Sequence, residues 1–146
     1  TSGEGPEILH PGEHTWAGTL DVMGWNIEDD GFGVLFSQDI PSLVTRELPP
    51  VLDAYLGRHG MVLDDFDGFI CHPGGAKVIA ALERVFQVSD GSLGHARGVL
   101  RDYGNMSAAT VMFVLDRVMA EGKSGRYLMS ALGPGFSVGF LTLKIP

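Results

Sequence analysis

The stretch FDGFICHPGG, residues 66–75, decides the fold of this chain. Its apolar run over residues 66–71 predicts a short buried strand, and the letters HPGG then turn the chain. The segment that follows, to about residue 87, has Val78, Leu82 and Val85 on one face of a helix. A strand that passes through a glycine turn directly into a helix is typical of α/β proteins, whose ligands bind at the carboxyl ends of strands.

The remaining chain also alternates between strand and helix patterns. Working outward, we predict strands over residues 14–23, 32–37, 127–132 and 137–144, and helices over residues 41–60, 92–103 and 105–121. The helix over residues 41–60 is expected to be interrupted or kinked at its Pro-Pro pair. The helix after residue 105 is apolar nearly all round, so we expect it between layers, covered by a second helix layer or by a partner. The last two strands predict a C-terminal β-hairpin.

Length and composition describe one folded domain. The chain has 146 residues, of which 45% are hydrophobic and 19% charged, which is typical of a folded soluble domain and excludes disorder, collagen and coiled coil. Residues 1–14, rich in glycine and proline, predict an irregular lead-in, and residues 15–146 predict the domain. Because the chain begins with Thr1 rather than Met, we expect it to be a fragment of a longer protein.

The single cysteine excludes an internal disulfide framework and a zinc site built from several thiolates. The sequence contains no apolar run of about 18 residues and no signal-peptide pattern at its start. We therefore expect a cytoplasmic protein without a membrane span.

Charge is distributed unevenly along the chain. Residues 1–67 carry thirteen acidic and two basic side chains, whereas residues 68–146 carry five acidic and eight basic ones. The acidic first half would repel a phosphate backbone, so we expect no nucleic-acid binding. The mildly basic second half permits a small anionic ligand.

His72 is the first candidate for chemistry, because it follows a strand at the end where α/β sheets place ligands. An imidazole there can accept or donate a proton near neutral pH. The alternative is a structural histidine that is hydrogen-bonded before a turn, and the residue taken by itself does not decide between the two.

The second candidate is the stretch Asp102 to Ala109, which contains Asn105 and Ser107. Both residue types are ordinary helix-start residues, so capping is one interpretation. The other is that the Asn105 amide and the free N–H groups of the first turn stabilise negative charge on a ligand oxygen. The third segment, Gly133 to Phe136, is most simply a hairpin turn.

Other polar residues are weaker candidates. Cys71 is adjacent to His72 in a strand, where neighbouring side chains point to opposite faces, so we expect a core cysteine rather than a nucleophile. The remaining histidines lack the spacing of metal ligands, and no glycine-rich phosphate loop with a following lysine occurs. We therefore expect no metal site.

Four segments in this order resemble the carboxyl-terminal half of a type III polyketide synthase, in the chalcone and stilbene synthase family of the thiolase superfamily. They are MGWNIEDDGFGVLFSQDIP (residues 23–41), ICHPGGAKV (residues 70–78), DYGNMSAAT (residues 102–110) and GPGFSV (residues 133–138). The form of the first segment is closer to bacterial alkylpyrone and alkylresorcinol synthases than to the plant enzymes. The resemblance implies a thiolase-like half, with a mixed β-sheet and helices on both faces.

The resemblance implies that His72 and Asn105 are two members of a Cys-His-Asn catalytic set. The nucleophilic cysteine lies in the family's amino-terminal half and has no counterpart here. In the family, coenzyme A thioesters are substrates and no separate cofactor is needed: the cysteine takes an acyl group from acyl-CoA, and malonyl-CoA is decarboxylated to extend it. Cyclisation follows. This chain alone is therefore predicted to be an inactive part of an acyltransferase.

The resemblance also implies a substrate pocket and a coenzyme A site. The predicted pocket residues are Gly24, Val34, Ser107, Pro134 and Phe136. The residues predicted beside the pantetheine tunnel are Gly74, Gly75, Ala76 and Lys77. The plant enzymes have phenylalanine at the position of Val34, so the smaller side chain suggests room for a longer or aliphatic chain.

Two other functional classes stay open at this point. One is a non-catalytic, thiolase-like partner subunit, and the other is half of a ketoacyl synthase of the type that starts fatty acid synthesis with an acyl carrier protein. The expected partner of the chain is the amino-terminal half with the catalytic cysteine. Family members are homodimers, so the complete protein is expected to be one.

Overall fold

The computed structural model describes residues 5–146 and has the predicted mixture of strands and helices. The strands are β1 (Glu7–Thr15), β2 (Met23–Glu28), β3 (Gly31–Phe36), β4 (Gly68–Cys71), β5 (Gly125–Gly133) and β6 (Ser137–Ile145). The helices are α1 (Ile40–Arg58), α2 (Ala76–Val85), α3 (Gly94–Tyr103) and α4 (Thr110–Ala120), with short 3-10 turns at Leu63–Asp65 and Ser107–Ala109. No helix in this described part is long and apolar enough to cross a membrane.

Four strands form one mixed sheet in the order β1-β6-β5-β4. β4 runs parallel to β5, whereas β5 and β1 both run antiparallel to β6. The pairing of β5 with β6 confirms the predicted C-terminal hairpin. β2 and β3 form a separate antiparallel hairpin.

Helices cover both faces of the four-stranded sheet. On one face the Tyr55 ring of α1 stacks on Phe140 of β6, with 5.0 Å between ring centroids. On the opposite face, Met129 of β5 and Val111 of α4 both border one cavity. Phe140 pairs with Ser130, so these two side chains lie on the same face of the sheet. Met129 precedes Ser130 in β5, and successive strand residues point to opposite faces, so Met129 lies on the other face. The predicted α/β fold, with a mixed sheet and helices on both faces, is confirmed.

The predicted irregular lead-in over residues 1–14 is wrong for the residues that the structure describes, because Glu7–Thr15 forms β1; residues 1–4 lie outside the described part. β1 is an edge strand, where proline is tolerated since one side of the backbone needs no partner. Its Gly12 is required for packing rather than for a turn: a Cβ there would lie 2.5 Å from Cδ2 of Tyr55. The domain therefore begins before residue 15.

The strand predicted over residues 14–23 is largely a turn. The hydroxyl of Thr19 donates to the carbonyl oxygen of Trp16 at 2.6 Å and lies 3.0 Å from that of Gly135. These side-chain bonds replace the ladder bonds that a strand would need, and β2 starts only at Met23.

α1 continues through Pro49 and Pro50, so the prediction of an interruption is wrong, and a kink at this pair stays a prediction. A proline inside a helix costs about 3 kcal/mol or more. Burial of one large apolar side chain returns about 1.5–3 kcal/mol, and α1 buries six side chains against the core. Tertiary burial therefore outweighs the local preference of the prolines.

α4 is covered on one side by this chain. Val111, Val114 and Val118 are buried, whereas Met112 and Phe113 are 54% and 40% exposed. Within the described residues, this chain covers only one side of the helix that was predicted to lie between two layers. The second apolar side of the helix is exposed.

Candidate active site

His72 lies at the carboxyl end of β4, as predicted. Its backbone N–H donates to the carbonyl oxygen of Ser130 at 2.9 Å, which continues the pairing of β4 with β5 by one residue. The chain then turns, with the N–H of Gly74 donating to the carbonyl oxygen of His72 at 3.0 Å. The sheet therefore fixes the position from which the imidazole projects.

The His72 ring is half-buried, and its Nδ1 atom has no hydrogen-bond partner within residues 5–146. Burial lowers the pKa of His72 because the charged form loses hydration. At neutral pH the ring is therefore neutral, with one nitrogen that donates and one that accepts a hydrogen bond. A structural histidine would normally have found a partner for the buried nitrogen.

Asn105 follows Gly104, which ends α3 in the left-handed region with φ of 73°. Its Nδ2 atom donates to the carbonyl oxygen of Gly74 at 3.2 Å, and its Oδ1 atom accepts the N–H of Ser107 at 2.8 Å. The two bonds fix which end of the amide faces which neighbour. The amide therefore connects the turn after β4 with the turn before α4. The bond from the Ser107 N–H agrees with the capping interpretation, and the stabilisation of a ligand oxygen stays a prediction.

His72 and Asn105 border one cavity of about 660 Å³. Five other predicted site residues lie on its wall: Gly24, Val34, Gly74, Ser107 and Pro134. Clefts of this size, mostly apolar with a few polar groups, are typical of small-molecule sites. The fold thus brings together positions that are more than a hundred residues apart in sequence.

The apolar wall contributed by the β2–β3 hairpin was only partly foreseen. Trp25 is the register partner of Val34, and Met23 is the partner of Phe36, so all four side chains share one face of the hairpin. All four border the cavity. The signal for this face was present in the sequence as alternating apolar residues along both strands.

Of the four residues predicted to contact coenzyme A, only one borders the cavity. Gly74 borders the cavity, whereas Gly75, Ala76 and Lys77 do not. Ala76 and Lys77 are exposed at the start of α2. Their contact with a coenzyme stays a prediction.

Phe136 does not line the cavity, contrary to the prediction for the substrate pocket. Its side chain is 1% exposed and its ring centroid lies 4.7 Å from that of Trp16. The neighbouring Gly135 donates its N–H to the carbonyl oxygen of Met23 at 2.7 Å. Phe136 therefore anchors the turn through its aromatic ring, which is buried in the core.

Cys71 is a core residue, as predicted. It is fully buried, and the Ser130 hydroxyl donates to its Sγ atom at 3.6 Å. Burial raises the pKa of the Cys71 thiol to about 12, so at neutral pH almost none of it is the nucleophilic thiolate. Because the chain has one cysteine, it supplies no thiol nucleophile to the cavity.

The distribution of titratable side chains is relevant to the question of a metal site. Within residues 5–146, no three His, Cys, Asp or Glu side chains lie close enough together to hold a metal ion. The histidine pair His10 and His59 stacks with 4.2 Å between ring centroids, away from the cavity.

Comparison with known proteins identifies the family of this chain. Residues 9–144 match the sequence model of the family described as "Chalcone and stilbene synthases, C-terminal domain". The chain belongs to this family. The match favours the chalcone and stilbene synthases over the ketoacyl synthase alternative, and it covers all of the predicted site residues.

Bacterial proteins are among the relatives of this chalcone and stilbene synthase domain. It is 42% identical over 135 residues to a provisionally named chalcone synthase of Bacillus subtilis, covering 90% of this chain and 37% of that protein. It is 37% identical over 142 residues to the 1,3,6,8-tetrahydroxynaphthalene synthase of Streptomyces peucetius, covering 95% and 38%. The predicted bacterial character is consistent with both. The chain thus spans less than two fifths of the length of these relatives.

The fold of the chalcone and stilbene synthase domain matches solved structures of type III polyketide synthases. The 1,3,6,8-tetrahydroxynaphthalene synthase of Streptomyces coelicolor superposes with a TM-score of 0.86 at 26% identity, covering 96% of this chain and 40% of that one. PKS-I from the brown alga Ectocarpus siliculosus gives a TM-score of 0.86 at 24% identity, covering 97% and 40%. The thiolase-like fold predicted from the four segments is confirmed.

Proposed function

We propose that this chain is part of a type III polyketide synthase that condenses malonyl-CoA onto an acyl-CoA starter and then cyclises the product. The proposal rests on one observation, which is that His72 and Asn105 border the same cavity. The two side chains come from separate elements and border one apolar cavity, and Asn105 Nδ2 donates to the carbonyl oxygen of Gly74, two residues after His72, at 3.2 Å.

The residue types fit decarboxylation of a malonyl thioester. When carbon dioxide leaves, the electron pair of the broken C–C bond passes onto the thioester oxygen as an enolate. Preorganised N–H donors stabilise such an oxygen, and loss of one donor costs roughly 2.7–4 kcal/mol. Asn105 Nδ2 carries two hydrogens, of which Gly74 engages one. The second hydrogen and the neutral His72 ring are the donors that this chain offers.

Carbon–carbon bond formation needs a group that the chain lacks. The enolate carbon attacks the carbonyl carbon of a cysteine-bound acyl group, the new bond forms, and the cysteine leaves as thiolate. Cys71 cannot serve, because it is fully buried with a raised pKa. The nucleophile therefore comes from the amino-terminal half, and the present chain alone is inactive.

Two outward-facing apolar surfaces support a covering amino-terminal half. On the β2–β3 hairpin, Ile27 and Phe32 are 86% and 72% exposed, and on α4 Met112 is 54% exposed. Apolar surfaces of this kind mark contacts with another polypeptide segment. Burial of the hairpin face by the missing half would also close the cavity to water.

Other properties of the complete protein follow from the family resemblance alone. They are a homodimeric state and the use of coenzyme A thioesters without a further cofactor. A cytoplasmic location is expected from the sequence pattern instead. Each stays a prediction, as does the absence of nucleic-acid binding inferred from the acidic first half.

The test uses the full-length protein that contains this chain. The rates of malonyl-CoA decarboxylation and of chain extension are measured for the wild type, His72→Ala and Asn105→Ala. Loss of one donor is expected to lower the decarboxylation rate about 10²–10³-fold. Asn26→Ala is the matched control, because Asn26 is exposed on β2 and does not border the cavity.

Unimpaired decarboxylation in the Asn105→Ala protein would contradict the proposal. The second candidate function is a non-catalytic, thiolase-like partner subunit, which is favoured by the absence of a reactive cysteine from this chain. A full-length protein that has no cysteine facing His72 and does not decarboxylate malonyl-CoA would support that candidate instead.

A further inference from the structure

Thr110 is the first residue of α4 and is completely buried. Its hydroxyl oxygen accepts the N–H of Met106 at 2.8 Å and donates to the carbonyl oxygen of Ser107 at 2.7 Å. The hydroxyl group therefore closes the backbone turn that lies between Asn105 and α4.

This turn holds a strained residue. Ser107 has φ of 62°, a left-handed conformation that costs a residue with a Cβ roughly 1–2 kcal/mol. The same residue donates its N–H to Asn105 Oδ1 at 2.8 Å. Because α4 is held by its buried residues, rotation of Ser107 to an ordinary φ would move the Met106–Ser107 peptide plane, and with it this N–H, away from Asn105 Oδ1. The bonds to Thr110 oppose that rotation.

A connected set of contacts thus runs from Thr110 to the cavity. The Thr110 hydroxyl donates to the Ser107 carbonyl oxygen, and the Ser107 N–H donates to Asn105 Oδ1. Asn105 Nδ2 in turn donates to the Gly74 carbonyl oxygen. We propose that Thr110 is a positioning residue that sets the direction of the Asn105 amide toward the cavity. The inference rests on the proposed function, in which that amide stabilises the enolate oxygen.

A threonine hydroxyl that donates to a carbonyl one turn earlier is common at helix starts and has no role beyond helix geometry. The additional bond from the Met106 N–H distinguishes Thr110, because it restrains the residue directly after Asn105. The hydroxyl thereby restrains both residues that follow Asn105.

The experiment compares Thr110→Val, Thr110→Ser and Thr142→Val in the full-length protein. Valine keeps the shape of threonine and removes the hydroxyl, whereas serine keeps the hydroxyl. Thr142 is the matched control, because it is equally buried and its hydroxyl bonds to the Tyr55 hydroxyl at 2.8 Å, away from the cavity. For each protein, kcat and KM of malonyl-CoA decarboxylation are measured.

Small misplacements of a group at the reacting centre cost about a hundredfold in rate. We therefore expect Thr110→Val to lower kcat about tenfold to a hundredfold with little change in KM, and Thr110→Ser to restore most of it. Thr142→Val is expected to lower the melting temperature without changing kcat. A kcat for Thr110→Val no lower than that of Thr142→Val would overturn the inference.

A crystal structure of the full-length Thr110→Val protein separates this inference from the proposed function. We expect the contact between Asn105 Nδ2 and the Gly74 carbonyl oxygen to be lost or the amide to be reoriented. Persistence of the amide orientation and of the Ser107 conformation would overturn the positioning role. Absence of decarboxylation in the wild type would count against the proposed function, and the crystal structure would still decide the role of Thr110.

Discussion

Asn105 Nδ2 donates to the carbonyl oxygen of Gly74 at 3.2 Å, so a helix-start amide is attached to the turn that follows the histidine strand. The bond sets the relative position of two loops from different parts of the chain. It also uses one of the two amide hydrogens of a side chain that borders the cavity.

Asn105→Asp keeps the shape of the side chain and removes the donor. We expect the decarboxylation rate of the full-length protein to fall about 10²–10³-fold, because an oxyanion donor is lost and a carboxylate repels the enolate. Asn26→Asp makes the same charge change on an exposed part of β2 and is expected to have no such effect. Equal rates for the two variants would refute the role of Asn105.

Val34→Phe narrows the cavity on the hairpin side. Val34 borders the cavity beside Trp25, so a larger ring removes space for the growing chain, and we expect shorter products or shorter accepted starters. Mass spectrometry of the products of the full-length protein measures this. Val62→Phe is the control, because Val62 is 60% exposed and lies outside the cavity. Unchanged product length in Val34→Phe would place the chain-length limit elsewhere.

Gly12→Ala tests the packing of β1. An alanine Cβ would lie 2.5 Å from the Tyr55 ring, and overpacking of this kind costs typically about 1–3 kcal/mol. Gly57→Ala provides the contrast, because nothing lies within 4 Å of its Cβ position in α1, and alanine is expected to stabilise the helix by roughly 0.5–1 kcal/mol. Chemical denaturation of both variants measures the difference. A neutral Gly12→Ala would show that β1 is not packed as described.

Glu83→Gln tests a buried charge that links α2 to α3. Glu83 is fully buried and accepts the N–H groups of Gly91 and Leu93 at 2.9 and 3.2 Å, together with the guanidinium of Arg97. Burial by itself raises the pKa of Glu83, but these bonds outweigh it and hold the pKa below its usual range. The variant is expected to be less stable at pH 7 by about 1–3 kcal/mol, the cost of an unpaired buried group.

The pH dependence of this contribution has a definite sign. A carboxyl group with a lowered pKa in the folded state stabilises the protein above its unfolded pKa, about 4.3, and this contribution is lost as the pH falls through the lower, folded value. We expect the wild type to lose stability on acidification below pH 4 more steeply than Glu83→Gln. Glu7→Gln, an exposed site in β1, is expected to behave like the wild type. Parallel curves for wild type and Glu83→Gln would contradict this account.

Much of the fold was predictable from local pattern. The β4 strand and the helix after it follow from an apolar run, a glycine turn and helical spacing, and the C-terminal hairpin follows from two apolar runs about a tight turn. The role of Gly12 could not be predicted from local pattern. Its role in β1 depends on the Tyr55 ring, 43 positions along the chain, and no local pattern reveals such a contact.

The candidate site divides in the same way. His72 and Asn105 were found because their segments have specific residue types at turns beside regular elements. Phe136 was assigned to the pocket through the resemblance carried by the GPGFSV segment, yet its ring is buried against Trp16. Which side a turn residue faces depends on packing partners and is not encoded in the turn itself.

By itself, the sequence determined the types and order of the main elements, the family, and the two polar residues most suited to the proposed chemistry, because each of these depends on local pattern. Only the tertiary structure decided that His72 and Asn105 border one cavity and that the hydroxyl of Thr110 restrains the turn after Asn105. Those relationships depend on distances and burial between segments that the chain brings together only when the core is packed.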